Sequence, residues 1–258
     1  MTLITKDFST GYEENKIIKS ISLSLEKSEW LGIIGANGSG KSTFLKGISR
    51  ILDAHTGIAY LDGYDIHHSS TKEIAKKISV LPQQNSSNLS LTVYELVCLG
   101  RSPHKEWWEL DLDENDYFEV ERSIALTDMT CLKETPIYAL SGGQRQRAFL
   151  SLALAQDAKT LLLDEPTTFL DLRYQLQFFD LLKRLNNEQA LSIITVIHDL
   201  NLAARYCDRI AILKDGELLA IDKPREVLTE ELMKQAFQVE TCQIETPIGL
   251  QICTIKSS

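Results

Sequence analysis

Gly35-Ala36-Asn37-Gly38-Ser39-Gly40-Lys41-Ser42 is the stretch on which the reading of this chain turns. It fits G-x-x-x-x-G-K-[ST] at every fixed position. Glycines at that spacing let successive backbone N–H groups turn inward and form a cradle for an anion. The flanking residues supply a context that a bare glycine turn lacks. Before it, Trp30-Leu31-Gly32-Ile33-Ile34 is a short apolar run suited to a buried strand. After it, Phe44, Leu45, Ile48, Ile51 and Leu52 recur at helical spacing. Strand, glycine loop and helix start together aim a helix dipole at phosphate. Lys41 then reaches the β- and γ-phosphates of a nucleotide, and the Ser42 hydroxyl is placed to ligate Mg²⁺.

Farther along, Leu161-Leu162-Leu163-Asp164-Glu165 ends a buried strand in two carboxylates. Asp164 can hold Mg²⁺ through its water shell, and Glu165 can polarise an attacking water. Alone, such a strand end is an ordinary route to the surface; beside a phosphate loop it reads as catalytic. Leu140-Ser141-Gly142-Gly143-Gln144 opens a helix carrying Arg145, Arg147, Phe149, Leu152 and Leu154. Its serine and glycines form a second anion site at a helix start, against the plainer reading of Ser141 as an N-cap. One nucleotide needs one such start, so the second is read as serving a nucleotide held by another copy.

Outward from these motifs, Ile21, Leu23 and Leu25 alternate with serines, and Ile58-Ala59-Tyr60-Leu61 runs into Asp62-Gly63. Both patterns predict strands. From about residue 86 to 139 the chain is rich in charge, with apolar positions at helical intervals, which predicts an inserted helical subdomain. Two buried strands follow, at Leu161 to Leu163 and Ile193 to Ile197, then a hairpin turned by Asp215-Gly216. Strands alternating with helices imply a parallel sheet.

The chain has 258 residues, 43% of them hydrophobic and 24% charged, with a formal net charge of −9. That excludes a disordered or disulfide-held miniprotein and argues against nucleic acid as a partner, which needs clustered positive charge. Cys98, Cys131, Cys207, Cys242 and Cys253 lie far apart and read as free thiols. The N-terminus does not have the form of a signal peptide. No apolar run approaches the roughly 18 residues of a membrane span. The expected location is the cytosol, or a membrane surface reached through a partner. His67-His68 reads as a solvated loop, and Trp107-Trp108 as packing within the helical subdomain.

Leu140 to Gln144 resembles the signature of the ABC-transporter ATPases, and the rest of that family's pattern is present in order. The resemblance implies an α/β fold: a P-loop NTPase (RecA-like) core, an antiparallel β subdomain and an inserted α-helical subdomain. Residues 1–236 would form the ATPase domain, with the helical part at about 86–150, and 237–258 a short C-terminal closure. ATP would contact Tyr12, stacked on adenine, and Gly35 to Thr43 (Gly35, Ala36, Asn37, Gly38, Ser39, Gly40, Lys41, Ser42, Thr43). Ser141, Gly142, Gly143 and Gln144 would meet the ATP of a partner copy, with Asp171 at the dimer interface. Catalysis would rest on Glu165, His198, Gln83 and Lys41, and Mg²⁺ on Ser42, Gln83 and Asp164.

Within the family, Leu99-Gly100-Arg101-Ser102-Pro103-His104 resembles the ATPases of bacterial importers for ferric siderophores, haem and cobalamin. That implies a homodimer at the cytoplasmic face of the membrane. It would bind two integral-membrane permease subunits and depend indirectly on an extracellular or periplasmic substrate-binding protein. Iron-siderophore import is the leading expectation. Haem or cobalamin import, a soluble ABC factor on ribosomes or DNA, and a regulatory ATP-binding module stand as alternatives. The cargo is not written in this chain.

Overall fold

The alternation near the N-terminus is built as two long antiparallel strands, β1 (Leu3–Tyr12) and β2 (Asn15–Leu25). The computed structural model describes residues 2–81, 90–106, 108, 111–168, 170–247 and 249–257. It divides into two units, Met1–Ser69 with Ser192–Ser258, and Ser70–Leu191.

In the first unit, β3 (Trp30–Ile34) is buried along its whole length, as its unbroken apolar run requires. Helix α1 (Lys41–Ile48) follows the glycine loop. It ends earlier than the apolar spacing suggests, because the chain turns back in a Schellman motif. Arg50 takes φ 63° and its N–H donates to the Gly47 carbonyl (3.1 Å), while the Ile51 N–H donates to Lys46 (2.9 Å). Ile51 consequently stands 61% exposed rather than on the buried face. Strands β4 (Ala54–Leu61) and β5 (Tyr64–Asp65) complete an antiparallel sheet in the order β2-β1-β4-β5.

The turn after β5 corrects one expectation. The Asp65 carboxylate accepts the N–H groups of His67 (2.9 Å) and His68 (3.2 Å) and pairs with the His68 ring. Burial works to raise its pKa, but the His68 and His67 hydrogen bonds outweigh it and hold the carboxyl below its usual range. His68 is exposed, as a solvated loop would have it. His67 is not: its ring stacks on Phe8 with centroids 5.6 Å apart, and burial pushes its pKa down.

The second unit contains α2 (Thr71–Ala75), β6 (Ile78–Leu81), α3 (Val93–Cys98), α4 (Glu114–Leu126), α5 (Gly142–Ala155), β7 (Thr160–Asp164) and α6 (Leu172–Gln189). Strands β6 and β7 run parallel with Val80 opposite Leu162. Helices α3, α4 and α5 close over Val97, Val120, Ile124, Ile137 and Leu140. Each begins with a reciprocal capping box, Thr92 with Glu95, Asp113 with Asp116, and Ser141 with Gln144. Trp108 does not pack into this cluster as expected; it is 61% exposed. Trp107 lies outside the described residues.

The chain then returns to the first unit through β8 (Ser192–Val196), α7 (Leu200–Tyr206), β9 (Arg209–Lys214) and β10 (Glu217–Asp222). Strand β3 pairs parallel with both β8 and β9, Gly32 lying opposite Thr195 and Ile210. The β9–β10 hairpin turns on Asp215 and Gly216, both at positive φ, as the tight hairpin geometry demands. Helices α8 (Pro224–Val227) and α9 (Glu230–Phe237) lead to a closing hairpin, β11 (Val239–Thr246) and β12 (Gly249–Ser257). Among the described residues, no helix is long and apolar enough to cross a membrane.

Candidate nucleotide site

Gly40 is the N-cap of α1 and sits at φ 98°, a conformation that a side chain resists, so the sequence needs glycine there. The first N–H groups of α1 have no intrahelical acceptor and face the loop. Lys41 is buried, and its ammonium donates to the carbonyls of Gly35 (2.9 Å) and Ala36 (3.0 Å). The ammonium therefore lies over the mouth of its own loop. Ser39 Oγ is buried with no hydrogen-bond partner, a polar atom left for a ligand to satisfy. The Ser39 carbonyl accepts the Gly216 N–H (3.1 Å), so the β9–β10 turn holds the loop from below.

Ala36, Asn37 and Gly38 are exposed along the rim, Ser42 is half-buried, and Thr43 is buried. No acidic side chain occupies the first turn of α1. Helix amides, one ammonium and no nearby carboxylate on that turn fit the phosphates of a nucleotide. Tyr12, at the end of β1, is half-exposed and accepts a hydrogen bond from Lys46 of α1 (3.1 Å). The Lys46 ammonium is 5.7 Å from the ring centroid. The aromatic face expected to meet a base is thereby tied to the phosphate-loop helix.

His198 follows β8 and is exposed. Its placement depends on the residues after it, which the sequence reading passed over. Asp199 caps α7 by accepting the N–H groups of Asn201 (2.8 Å) and Leu202 (3.0 Å). Asn201 in turn grips Ile252 of β12, taking its N–H (2.7 Å) and donating to its carbonyl (3.4 Å). The first unit thus gathers Tyr12, Gly35 to Thr43 and His198.

The second unit gathers the carboxylates and the second helix start. Asp164 is buried at the end of β7. Glu165 takes φ 48°, the left-handed region that costs a non-glycine residue roughly 1–2 kcal/mol. Such strain persists where the surroundings impose it. Here the Thr168 hydroxyl donates to the Glu165 carbonyl (3.1 Å) and carboxylate (3.2 Å). Gln175 of α6 donates to the carbonyls of Thr167 (3.3 Å) and Leu170 (2.9 Å). Thr168 and Gln175 were not singled out from sequence; a Thr three residues beyond a strand-end Glu was the available signal.

Asp171 caps α6 through the Tyr174 N–H (3.0 Å). Tyr174 lies so close to α5 that a Cβ on Gly143 would meet its ring at 3.0 Å, which is why glycine stands there. At the head of α5, Ser141 Oγ accepts the Gln144 N–H (3.3 Å), and Gln144 accepts the Ser141 N–H (3.0 Å). The plainer N-cap reading of Ser141 therefore holds within one chain. The amides of Gly142 and Gly143 begin the helix and have no intrahelical acceptor. Ser141 and Gly142 are exposed. Gln83 and Phe169 lie outside the described residues.

The Ser42 hydroxyl and the Asp164 carboxylate are hard oxygen donors, the class Mg²⁺ takes. Among the described residues no group of three or more His, Cys, Asp or Glu is arranged to hold a metal ion by itself.

A protein-family model described as ABC transporter matches residues 18–168. The iron(3+)-hydroxamate import ATP-binding protein FhuC of Bacillus subtilis (strain 168) is 44% identical over 246 residues, 95% of this chain and 91% of that protein. The petrobactin import ATP-binding protein FpuD of Bacillus anthracis is 42% identical over 253 residues, 97% of this chain and 92% of that protein. A solved dimeric ATP-binding cassette in a post-hydrolysis state, bound to ADP and Pi, superposes with a TM-score of 0.72 at 31% identity. That match covers 86% of this chain and 99% of the other.

Proposed function

The chain belongs to the ABC transporter family as an ATP-binding, ATP-hydrolysing subunit, and from that premise we propose that it powers import of a ferric siderophore. The observation that carries this reading is the identity above 40%, over nearly the whole chain, to two ATP-binding proteins named for iron-hydroxamate and petrobactin import. The subunit works at the cytoplasmic face of the membrane, docked to two permease subunits that receive cargo from a substrate-binding protein.

Two copies close head-to-tail around a twofold axis. Each ATP lies between Gly35 to Thr43 of one copy, with Tyr12 against adenine, and Ser141 to Gln144 of the other. Exposed Gly142 supports this assignment, because the capping box of Ser141 and Gln144 leaves the first amides of α5 at its dipole end. Lys41 and His198 stabilise charge on the γ-phosphate, and Glu165 orients and deprotonates the water. Ser42, Asp164 and Gln83 would hold Mg²⁺, which would supply positive charge to neutralise the phosphates. Asp171 reaches across the dimer interface. Closure favoured by ATP, and opening after hydrolysis, move the permease.

A Ser141→Arg variant tests the shared site. Its ATPase rate should fall by about 10²-fold or more, while binding of a fluorescent ATP analogue to the monomer stays unchanged. Equal loss of both would show that Ser141 acts only within its own chain. Cargo is tested with the chain reconstituted beside its permease and binding protein. Ferric siderophore should stimulate ATP turnover, and haem and cobalamin should not. Stimulation by haem or cobalamin alone would replace the cargo, and co-purification with ribosomes or DNA instead of a permease would overturn import.

A further inference from the structure

Cys242 and Cys253 are eleven positions apart in sequence, yet the closing hairpin sets them directly opposite each other across β11 and β12. Both are exposed free thiols. Cross-strand partners project from the same face of a sheet, so the two sulfurs share one solvent-facing side. The bonding phase of the ladder is fixed by Asn201. Both the N–H and the carbonyl of Ile252 turn away from β11 to that side chain, which makes Gln243 and Ile252 a non-hydrogen-bonded pair. The adjacent pair, Cys242 and Cys253, is then a hydrogen-bonded one. Its Cα atoms stand about 5.5 Å apart in such a ladder, inside the roughly 4.4–6.8 Å span a disulfide bridges. Its Cβ atoms, also about 5.5 Å apart, must draw in to about 4.5 Å, which makes the bond strained and readily reduced.

We propose that Cys242 and Cys253 form a reversible dithiol–disulfide switch, oxidised by a low-molecular-weight disulfide such as that of glutathione. One cysteine thiolate attacks the small disulfide, forming a mixed disulfide and releasing one small thiol. The thiolate of the opposite cysteine attacks the protein-bound sulfur, forming the cross-strand bond and releasing the second small thiol. The protein loses two hydrogens, and one small disulfide becomes two small thiols. Exposure lets the reagent in, and register makes the second step intramolecular. Among the described residues no third Cys, His, Asp or Glu joins the pair as a metal-ligating group, which favours this chemistry over a metal site.

The same hairpin explains what the bond would do. Cys253 adjoins Ile252, whose backbone is held by Asn201 in the first turn of α7, two residues after the capping Asp199 and three after His198. Cross-linking β11 to β12 stiffens the strand that anchors that turn. An effect on ATP turnover rests on the proposed role of His198; bond formation does not.

The full chain is incubated with glutathione disulfide and followed by intact mass and peptide mapping. The expected product is lighter by two hydrogens, links the peptides containing residues 242 and 253, and reverts fully with dithiothreitol. Cys242→Ser and Cys253→Ser should each lose the link and retain a glutathione adduct on the surviving cysteine. Wild-type chain carrying glutathione on both cysteines with no internal link would overturn the proposal, as would a link that persists in either variant. Hydrogen exchange separates the second claim: the Ile252 amide and the first turn of α7 should exchange more slowly in the oxidised chain. Unchanged exchange would overturn the coupling to α7 while leaving the ATPase assignment standing.

Discussion

Glu165→Gln should lower steady-state ATP turnover by about 10²–10⁴-fold, the range lost when a positioned general base is removed, while ATP binding survives. Gln matches Glu in shape and can still accept the Thr168 hydroxyl that braces the turn. It meets the same backbone demand at φ 48°, so the fold of the turn is kept. What disappears is the negative charge that, in the proposed role, draws a proton from water. With closure intact and hydrolysis blocked, size-exclusion chromatography in ATP should show a closed dimer accumulating. Near-normal turnover by the variant would remove Glu165 from the role of base and leave that role to another group.

Asp116→Ala should destabilise the second unit by about 3–5 kcal/mol, the scale for stranding one member of a buried ion pair. Arg101 and Asp116 have side chains only 3% and 2% exposed, with Nε 2.8 Å from Oδ1. Arg101 also donates to the Ala155 carbonyl at the end of α5 (2.7 Å), and Lys105 pairs with the second Asp116 oxygen. Removing the carboxylate leaves the buried guanidinium its Ala155 carbonyl but not the charge that Nε pairs with. Urea denaturation checks the magnitude, and a loss below about 1 kcal/mol would mean that water reaches the site as it reaches a surface pair.

The pH dependence has a definite sign. Burial raises the Asp116 pKa, but the hydrogen bonds from Lys105 and Arg101 outweigh it and hold the carboxyl down at about 2, against 3.8 for the free side chain. The folded chain therefore binds fewer protons at this site than the unfolded chain. The pair's contribution is fully present above 3.8 and fades as pH falls toward about 2. Asp116→Ala should lack that acid-labile component.

Arg101 also shows where sequence reading stops. The run Leu99 to His104 suggested a subfamily by resemblance, yet no local pattern says that its arginine is buried on Asp116. The phosphate loop, the strand ending in Asp164-Glu165 and the start of α5 were legible because their chemistry is local: glycines, a lysine and a cap within a few residues. The Asp215-Gly216 hairpin was legible for the same reason. The end of α1 was not, because apolar spacing continues through Ile51 while the backbone reverses at Arg50. Thr168 and Gln175 escaped notice because their partners are backbone carbonyls, which look alike in any sequence. His67 looked like half of a solvated pair until Phe8, from β1, supplied its stacking face. Cys242 and Cys253 looked isolated because register, and not spacing, brings them opposite.

The carbonyl of Ser39 resting on the amide of Gly216 ties the glycine loop to a turn made much later in synthesis. Contacts between positions so far apart form late, after the entropy of closing a long loop has been met. A chain still emerging from the ribosome carries the whole glycine motif but lacks its support. The motif is written early, and the hydrogen bond that braces it arrives only with the hairpin.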